Sequence, residues 1–325
     1  MNVLFLTISR QDATSFYRSG GISADLAKQS GYNIQVADWK DIEVHWQTLS
    51  EFNAVMLQRP FSKESAGLCQ VIKNMGLKLW IDYDDNLFAV NPENDTYLLY
   101  SDPKTQATIK HILSLADVVS VTNEYLRQTY IEYNKNIWVI PNAFNDLLIK
   151  RGEIAKRERN VIWRGGANHI YDLMKHGPAI NQLMSEHPDF RFLFWGYYTW
   201  FLSDAPNKGY IAPTDPVIYF QKLFKLLPSV IHVPLNDDPF NRCRSVTAYI
   251  EAAFSGAVCV NPSWWNMPGS LLYSDVQGYY EAMKAVLSGQ VDIKAMNAES
   301  WEFVNDCLLL SRVNKKRVEL LKTLE

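Results

Sequence analysis

The sequence predicts an α/β protein with two domains, each built on a doubly wound parallel sheet. Short apolar segments alternate with helical patterns along the whole chain, which is typical of parallel strands joined by helical crossovers. A charged segment at residues 150–160 interrupts this alternation, and a new apolar strand pattern follows it directly. The chain has 325 residues, 47% of them hydrophobic, which is enough material for two packed cores.

The first half of the chain carries the first alternation. Its predicted strands are residues 3–7, 33–37, 54–57, 78–82, 118–122 and 138–141. Its predicted helices are residues 21–30, 64–75, 105–116 and 123–130. We therefore expect an N-terminal domain at residues 1–150.

The second half starts again with its own first strand. Strands are predicted at residues 161–164, 190–195, 230–234 and 258–260, with helices at 170–186, 217–226 and 277–287. We expect a second domain at residues 151–296 and a terminal helical segment, 297–325, that packs back toward the first domain. Ligands in such sheets bind beyond the carboxyl ends of the strands, here in a cleft between the domains.

Composition excludes several classes of protein. The net charge of -3 is unlike the global positive charge of many nucleic-acid-binding proteins. The apolar run near the amino end is too short for a signal peptide or a membrane span, so we expect a cytoplasmic protein without membrane insertion. A nicotinamide dehydrogenase is disfavoured because no GxGxxG pattern follows a predicted strand.

The segment 240–260 predicts a helix whose start suits a phosphate group. Free N–H groups and positive potential lie at a helix start, where we expect Asn241, Arg244, Ser245 and Val246. Glu251 lies seven residues after Arg244 and is expected on the same helix face, roughly 10 Å away. The arginine could then meet a diphosphate while the carboxylate accepts hydrogen bonds from a ribose.

A second pattern, residues 161–173, joins a strand to a glycine-bearing loop and a helix. Gly165 and Gly166 would let backbone N–H groups approach a phosphate closely. Arg164 could bridge a leaving diphosphate, and His169 could donate to the diphosphate or to the sugar. A histidine at a helix start can equally be a cap or a packing residue.

These patterns, together with residues 116–126 and a Pro141-Asn142 turn after a strand, resemble the two-domain nucleotide-sugar glycosyltransferases of the GT-B type. The likeness is strongest to the retaining, family-4-like group. The resemblance implies two Rossmann-like domains, with the acceptor side at 1–150 and the donor side at 151–296. It also implies that Glu251 binds ribose hydroxyls, whereas Cys243 replaces a glutamate that normally contacts the donor sugar.

Two further groups are expected on the acceptor side of the cleft. Asp84 and Asp85 end a predicted strand and would hold the acceptor hydroxyl or the transferred sugar, although they could also simply cap a turn. Their Asp-x-Asp spacing with Asp82 suggests a metal motif, but we predict none, because the phosphate-type patterns lie in the other half. Tyr17 and Arg18 follow the first strand and are candidates for acceptor binding.

The activity implied by the resemblance is transfer of a sugar from a nucleoside-diphosphate sugar, such as a UDP- or GDP-sugar, to an acceptor hydroxyl. Retention, independence of metal and the absence of a cofactor are expected. The acceptor is a glycan or, by similarity to small phage enzymes, a hydroxymethylated DNA base. A nucleotide-sugar epimerase of the same fold and a non-catalytic binding relative are the alternatives. Basic residues considered for a DNA groove are Arg151, Lys156, Arg157, Arg159, Arg242, Lys315, Lys316 and Arg317.

Overall fold

The computed structural model describes residues 1–10, 12–39 and 46–325, with only the backbone of residues 46 and 47. Its first sheet has six parallel strands in the order β2-β1-β3-β4-β5-β6. These strands are β1 (Asn2–Thr7), β2 (Asn33–Asp38), β3 (Ala54–Gln58), β4 (Lys78–Tyr83), β5 (Val118–Val121) and β6 (Ile137–Val139).

The second sheet also has six parallel strands, in the order β12-β11-β10-β7-β8-β9. These are β7 (Asn160–Arg164), β8 (Arg191–Trp195), β9 (Lys208–Ile211), β10 (Val230–His232), β11 (Val258–Pro262) and β12 (Ser270–Tyr273). The predicted fold class is thereby confirmed: two doubly wound parallel sheets with flanking helices.

Helices connect the strands of both sheets. Those that accompany the first sheet are α1 (Ala13–Arg18), α2 (Gly20–Ser30), α3 (Lys63–Asn74), α4 (Tyr97–Ser101), α5 (Pro103–Leu115) and α6 (Glu124–Tyr130). Those that follow are α7 (Ile170–Glu186), α8 (Pro216–Leu226), α9 (Pro239–Arg242), α10 (Thr247–Ser255), α11 (Val276–Leu287), α12 (Ile293–Cys307) and α13 (Leu310–Lys322). We call the first sheet with its helices the N lobe and the second the C lobe.

Burial explains why the central strands could be predicted from the sequence. Every residue of β3 is buried, as is every residue of β5. Strands covered on both faces read as continuous apolar runs. The edge strands β9 and β12 were missed because their residues are mostly half-exposed and at most three apolar residues follow one another in either strand.

Helix α12 packs against α10 of the C lobe, and α13 then returns to the N lobe. Phe144 forms a parallel bridge with Leu309, just before α13 begins. In α13, the Asn314 side-chain amide donates to the Ile22 carbonyl oxygen at 3.2 Å and to Asp25 Oδ2 at 2.8 Å, both on α2. Apolar residues of α13 complete a core with the inner face of the first sheet.

The order of strands places the functional loops. All strands are parallel, but the order in which they are added to the sheet reverses at one point. This point lies between β1 and β3 in the N lobe, and between β7 and β10 in the C lobe. Loops diverge at such switch points and leave a crevice at the carboxyl ends of the strands. The crevices of the two lobes face each other.

The predicted helix at residues 240–255 is broken in two, which corrects one expectation. The short helix α9 begins at the Asp238 cap and ends at Arg242, and α10 begins only at Thr247. Phe240 and Cys243 pack into the core of the N lobe, so the chain cannot continue as a straight helix there. Arg244 therefore precedes the helix that carries Glu251, and the argument that they share a helix face was wrong.

Candidate functional site

A cleft of about 290 Å³ lies between the carboxyl ends of the two sheets. Both lobes contribute to its wall. Among the described residues, the charged side chains that line it are three arginines and two aspartates: Arg59, Arg164, Arg244, Asp84 and Asp85. A pocket that combines apolar walls with a few convergent charged groups is the usual form of a small-molecule site.

Arg244 lies in the break between α9 and α10, and its guanidinium reaches across the lobe boundary. Nη1 donates to Asp85 Oδ1 at 3.1 Å, and the guanidinium stacks 4.3 Å above the Phe240 ring. Nε and Nη2 are buried and have no hydrogen-bond partner within the described part of the chain. Buried donors normally find a partner, so these two N–H groups beside the cleft are candidates for contact with a ligand.

Arg164 is the last residue of β7, and two residues of α10 fix its guanidinium on the side away from the cleft. Its Nε donates to Glu251 Oε2 at 2.7 Å, and Nη2 donates to the Thr247 hydroxyl. Nη1 makes no hydrogen bond to the described residues, and the side chain remains 27% exposed at the cleft. The arginine thus presents one edge to the cleft from a fixed position.

Glu251 does not line the cleft in this arrangement. It is 2% exposed, and its carboxylate also accepts hydrogen bonds from the hydroxyls of Tyr219 at 3.0 Å and Tyr17 at 3.5 Å. Burial, followed by the negative charge of Glu251, raises the pKa of both phenols, so they remain protonated donors. The ribose contact implied for Glu251 stays a prediction, and here the carboxylate orients Arg164.

The glycine loop after β7 passes directly along the cleft. A methyl group on Gly165 would lie 2.7 Å from the Trp163 ring and 3.0 Å from the His169 ring, so only glycine fits. A methyl group on Gly166 would meet only Asn168 Oδ1, at 3.4 Å. Both glycines line the cleft, but the steric requirement is confined to Gly165.

His169 also lines the cleft, where the short 3-10 turn Ala167–His169 leads into α7. Its Nδ1 lies 3.6 Å from Asp172 Oδ2. Burial, and then the nearby charge of Arg244, lower the pKa of the imidazole despite the pull of Asp172. The ring is therefore neutral near pH 7 and can act as a hydrogen-bond donor and acceptor.

Asp84 and Asp85 follow β4 and face the C lobe. Arg59, at the end of β3, donates to Asp84 Oδ1 from Nε at 2.8 Å and from Nη2 at 2.6 Å. The same Nη2 donates to Asp85 Oδ2 at 3.0 Å. These carboxylates are thus held in an ion-pair network that spans the two lobes through Arg244.

Tyr17 and Arg18, the acceptor candidates, have different environments. Tyr17 lines the cleft, whereas Arg18 is 1% exposed and points away from it. Arg18 forms a bidentate pair with Asp82, at 2.9 and 2.6 Å, and donates to the Ile140 carbonyl oxygen. The expectation that Arg18 faces a ligand is corrected: the buried ion pair with Asp82 uses its donors.

Of the residues expected at the helix start, some line the cleft and others are buried away from it. Ser245 lines the cleft, and its hydroxyl accepts a hydrogen bond from Asn142 of the N lobe at 2.9 Å. Asn241 is fully buried away from the cleft, where its amide donates to Asp172 at 2.8 Å. Val246 occupies the cap position of α10 and packs into the C lobe. Neither Asn241 nor Val246 contributes a side chain to the cleft wall, which corrects both expectations.

Cys243 cannot make the contact to the donor sugar that the resemblance assigns to a glutamate at this position. Its side chain is 2% exposed, packs in the N-lobe core and lies 4.0 Å from the Thr129 hydroxyl. Any contact to a donor sugar must therefore come from other cleft residues.

Two titratable residues of the described cleft wall were missed by sequence reasoning. Arg59 directly follows β3, and His232 ends β10; a charged or titratable residue at the carboxyl end of a buried strand is the signal that could have found them. The His232 ring accepts or donates a hydrogen bond with the Tyr279 hydroxyl at 2.7 Å through Nδ1. Burial, and then His176, lower the pKa of His232 to about 3, so it remains neutral at ordinary pH.

Six of the eight basic residues considered for a DNA groove are engaged within the protein. Arg317 is 1% exposed in the N-lobe core. The other five bind backbone carbonyls or acidic side chains: Arg151 with Phe254, Arg157 with Gly256, Lys156 with Glu158, Arg159 with Asp189 and Arg242 with Asp237. Arg317 is therefore unavailable to DNA, and acidic neighbours balance the charges of Lys156, Arg159 and Arg242, which remain exposed.

Comparison with known proteins gives the fold. No protein-family model and no curated protein matches the sequence. Sucrose-phosphate synthase from Thermosynechococcus elongatus has a similar structure, with a TM-score of 0.72 over 99% of this chain and 98% of that one, at 13% identity. The UDP-forming α,α-trehalose-phosphate synthase from Burkholderia xenovorans gives 0.60 over 97% and 86%, at 11% identity.

A protein described as a UDP-N-acetylglucosamine 2-epimerase, from Listeria monocytogenes, is also similar. Its TM-score is 0.62 over 99% of this chain and 96% of that one, at 10% identity. The chain therefore has the GT-B fold of two Rossmann-like domains, and its structural neighbours include GT-B glycosyltransferases. At such low identity the likeness defines the fold alone. No helix within the described ranges has the length and apolar character needed to cross a bilayer.

Proposed function

We propose that this protein is a glycosyltransferase that moves a sugar from a nucleoside-diphosphate sugar to an acceptor hydroxyl. The observation that carries the proposal is the pair of buried N–H groups on Arg244 that find no partner among the described residues, beside the cleft-facing edge of Arg164. Two guanidinium groups at one wall suit the two phosphates of such a donor. The GT-B fold supports the same ligand class.

The chemistry builds negative charge on the departing diphosphate. Fixed donors aimed at that charge stabilise the transition state without needing to reorganise. Arg244 is fixed by Asp85 and Phe240, and Arg164 by Glu251 and Thr247. Gly165 leaves room at the same wall for the rings of Trp163 and His169. The resemblance implies reaction without a metal or cofactor and with retention, and these points remain part of the proposal.

The opposite wall would bind the acceptor. Asp84 and Tyr17 line the N-lobe side of the cleft and offer a carboxylate and a phenol suited to sugar hydroxyls, whereas Asp85 there pairs with Arg59 and Arg244. A glycan acceptor is favoured over a hydroxymethylated DNA base, because Arg317 is buried and Lys156, Arg159 and Arg242 each lie beside a carboxylate that offsets their charge. A DNA acceptor would need a free cationic groove for the phosphate backbone.

An epimerase is the second candidate, favoured by the similarity to the Listeria monocytogenes protein. It would use the titratable groups of the cleft on the sugar and would need no acceptor. Incubation of a nucleotide sugar without acceptor separates the two: isomerisation of the sugar supports the epimerase, and its absence together with transfer supports the transferase.

The experiment measures the release of nucleoside diphosphate from UDP-, GDP- and ADP-sugars. Each sugar is tested first without an acceptor and then with glycan and hydroxymethylated DNA acceptors. Release of the nucleoside diphosphate that depends on an acceptor supports the proposal. A variant with Arg244→Ala should lose that release, whereas the neighbouring Arg242→Ala should not, since Arg242 pairs with Asp237 outside the cleft. Binding of a nucleotide without any turnover would instead favour a non-catalytic relative.

A further inference from the structure

One histidine on the C-lobe side of the cleft has a bound ring nitrogen and a second one that the protein does not use. His232 is the last residue of β10, an interior strand of the second sheet, and it lines the cleft although it is only 2% exposed. Its Nδ1 lies 2.7 Å from the Tyr279 hydroxyl of α11. Nε2 makes no hydrogen bond to the residues that the structure describes, so it is the nitrogen left for a ligand.

The Tyr279 hydroxyl determines which of the two nitrogens carries the proton. Tyr279 is fully buried, and within the described ranges His232 Nδ1 is the one hydrogen-bond partner of its hydroxyl. A buried hydroxyl proton needs an acceptor. The phenol also keeps its proton, because burial raises its pKa well above the usual value. The hydroxyl therefore donates to Nδ1, and a neutral imidazole then carries its own proton on Nε2.

Aromatic neighbours fix the Tyr279 ring in this position. It lies edge-on to the rings of His176 and Tyr273, with centroid distances of 5.0 and 5.4 Å. The Tyr273 hydroxyl donates to the carbonyl oxygen of Val233, the residue directly after β10, at 2.6 Å. Two tyrosines thus fix the His232 ring and the backbone that follows it. The direction of the Nε2–H bond is therefore set before a ligand binds.

The His232 ring contributes a hydrogen bond without a charge. Burial, and then the neighbouring His176, lower its pKa to about 3. The ring differs in this respect from Arg164 and Arg244, the two cationic groups on the same lobe. A neutral N–H group in an almost buried position suits an oxygen atom as its acceptor and adds nothing to the charge of the cleft.

We infer that His232 donates a hydrogen bond from Nε2 to an oxygen of the bound nucleotide sugar, and that Tyr279 is the residue that positions it. This inference rests on the proposed function. It is carried by an N–H group of fixed direction at the cleft wall that has no acceptor in the described part of the chain. The oxygen belongs either to the transferred sugar or to the nucleotide, and the binding experiment separates these sources.

The tautomer is tested without any ligand, by ¹⁵N NMR of protein that contains ¹⁵N-labelled histidine. The signals that disappear in His232→Gln are those of His232 among the six histidines of the chain. We expect a protonated Nε2 and an Nδ1 that accepts a hydrogen bond. Tyr279→Phe should shift the Nδ1 signal. The matched control is Tyr280→Phe, which should not shift it, because the Tyr280 hydroxyl binds Glu186 instead. A proton on Nδ1 in the wild type would overturn the inference.

The contact itself is tested by calorimetry with UDP, GDP and ADP and with UDP-glucose, GDP-mannose and ADP-glucose. His232→Phe should weaken binding of the nucleotide sugar by about two- to tenfold, the contribution of one neutral hydrogen bond. His232→Gln should retain most of the affinity, since its amide can place an N–H group near the position of Nε2. A loss seen with the nucleotide sugar alone assigns the oxygen to the sugar, and an equal loss with the nucleotide assigns it to the nucleotide.

Tyr279→Phe is the second variant, since it keeps His232 and nearly the same core volume. It should weaken binding of the same ligand by a smaller factor, whereas Tyr280→Phe should bind like the wild type. Wild-type affinity in a folded His232→Phe, or an equal loss in His232→Phe and His232→Gln, would overturn the inference. Where thermal unfolding shows that His232→Phe does not fold, wild-type affinity in Tyr279→Phe overturns it. Failure of every nucleotide and nucleotide sugar to bind the wild type would overturn the proposed function instead, while the NMR result on the tautomer would stand.

Discussion

Arg164 faces the cleft, and the buried carboxylate of Glu251 fixes its guanidinium by accepting a hydrogen bond from Nε. Glu251 is 2% exposed and receives hydrogen bonds from Arg164, Tyr219 and Tyr17, so its negative charge is compensated inside the C lobe. Removing one partner of a buried ion pair leaves the other uncompensated. At the residue scale, therefore, binding of a diphosphate should depend on a carboxylate that does not touch it.

Glu251→Gln is predicted to weaken UDP binding and to lower the free energy of unfolding. The amide keeps the shape but cannot balance the charge of Arg164, and a hydrogen bond to a charged group contributes about 1.5–3 kcal/mol. Urea unfolding and calorimetry measure the two effects. Glu319→Gln, at an exposed position on α13, is the control. Unchanged unfolding and affinity in Glu251→Gln would contradict the positioning role.

His169 predicts a pH dependence of donor binding. Its folded-state pKa is lowered by burial and then by Arg244, so the neutral form is favoured in the free protein. Folding with a neutral His169 therefore costs nothing above the unfolded-state pKa of about 6.5. As pH falls below that value, the unfolded chain binds a proton more readily, and the free energy of unfolding decreases. A bound diphosphate should raise the pKa again, so affinity should increase as pH falls from 7.5 to 5.5.

The measurement is calorimetry with UDP-glucose, which lacks the phosphate monoester that titrates near pH 6. His169→Gln should flatten the dependence. His232, the other cleft histidine, remains neutral over this range because its pKa is about 3. A dependence that survives in His169→Gln would assign the proton to another group.

At the scale of elements, the loop between β7 and α7 and the break between α9 and α10 form the donor-side wall. The glycine loop was readable from sequence because two glycines follow a buried strand at the start of a new sheet. The break was not readable, since residues 240–255 have the composition of one continuous helix. Phe240 and Cys243 interrupt it by packing into the other lobe, a tertiary contact that no local pattern encodes.

The two glycines give a matched prediction. Gly165→Ala should destabilise the fold by about 1–3 kcal/mol and reduce nucleotide affinity, because its methyl group would overlap the rings of Trp163 and His169. Gly166→Ala should leave stability unchanged, as its backbone is extended and its methyl group has room. Thermal unfolding and calorimetry test both. Equal effects of the two substitutions would show that the steric reading of Gly165 is wrong.

At the scale of the whole molecule, the fold class could be predicted because both sheets have buried central strands separated by helical patterns. The pairings across the cleft could not. Arg244 with Asp85 and Asn142 with Ser245 join residues more than 100 positions apart, and only the packing of the lobes brings them together. For the same reason Arg18, Asn241 and Val246 could not be recognised as residues that lie away from the cleft wall.

The most direct test of diphosphate binding in the interlobe cleft is calorimetric titration of the protein with UDP and GDP, comparing Arg244→Ala with Arg242→Ala. Arg244 has two buried N–H groups without partners in the described residues, whereas Arg242 is half-exposed and pairs with Asp237. Loss of Arg244 should weaken binding by about tenfold to a few hundredfold, the equivalent of one charge-assisted hydrogen bond. Arg242→Ala should bind like the wild type. Equal affinities in Arg244→Ala and the wild type, or no binding of either nucleotide, would contradict the assignment of this cleft to a nucleoside-diphosphate sugar.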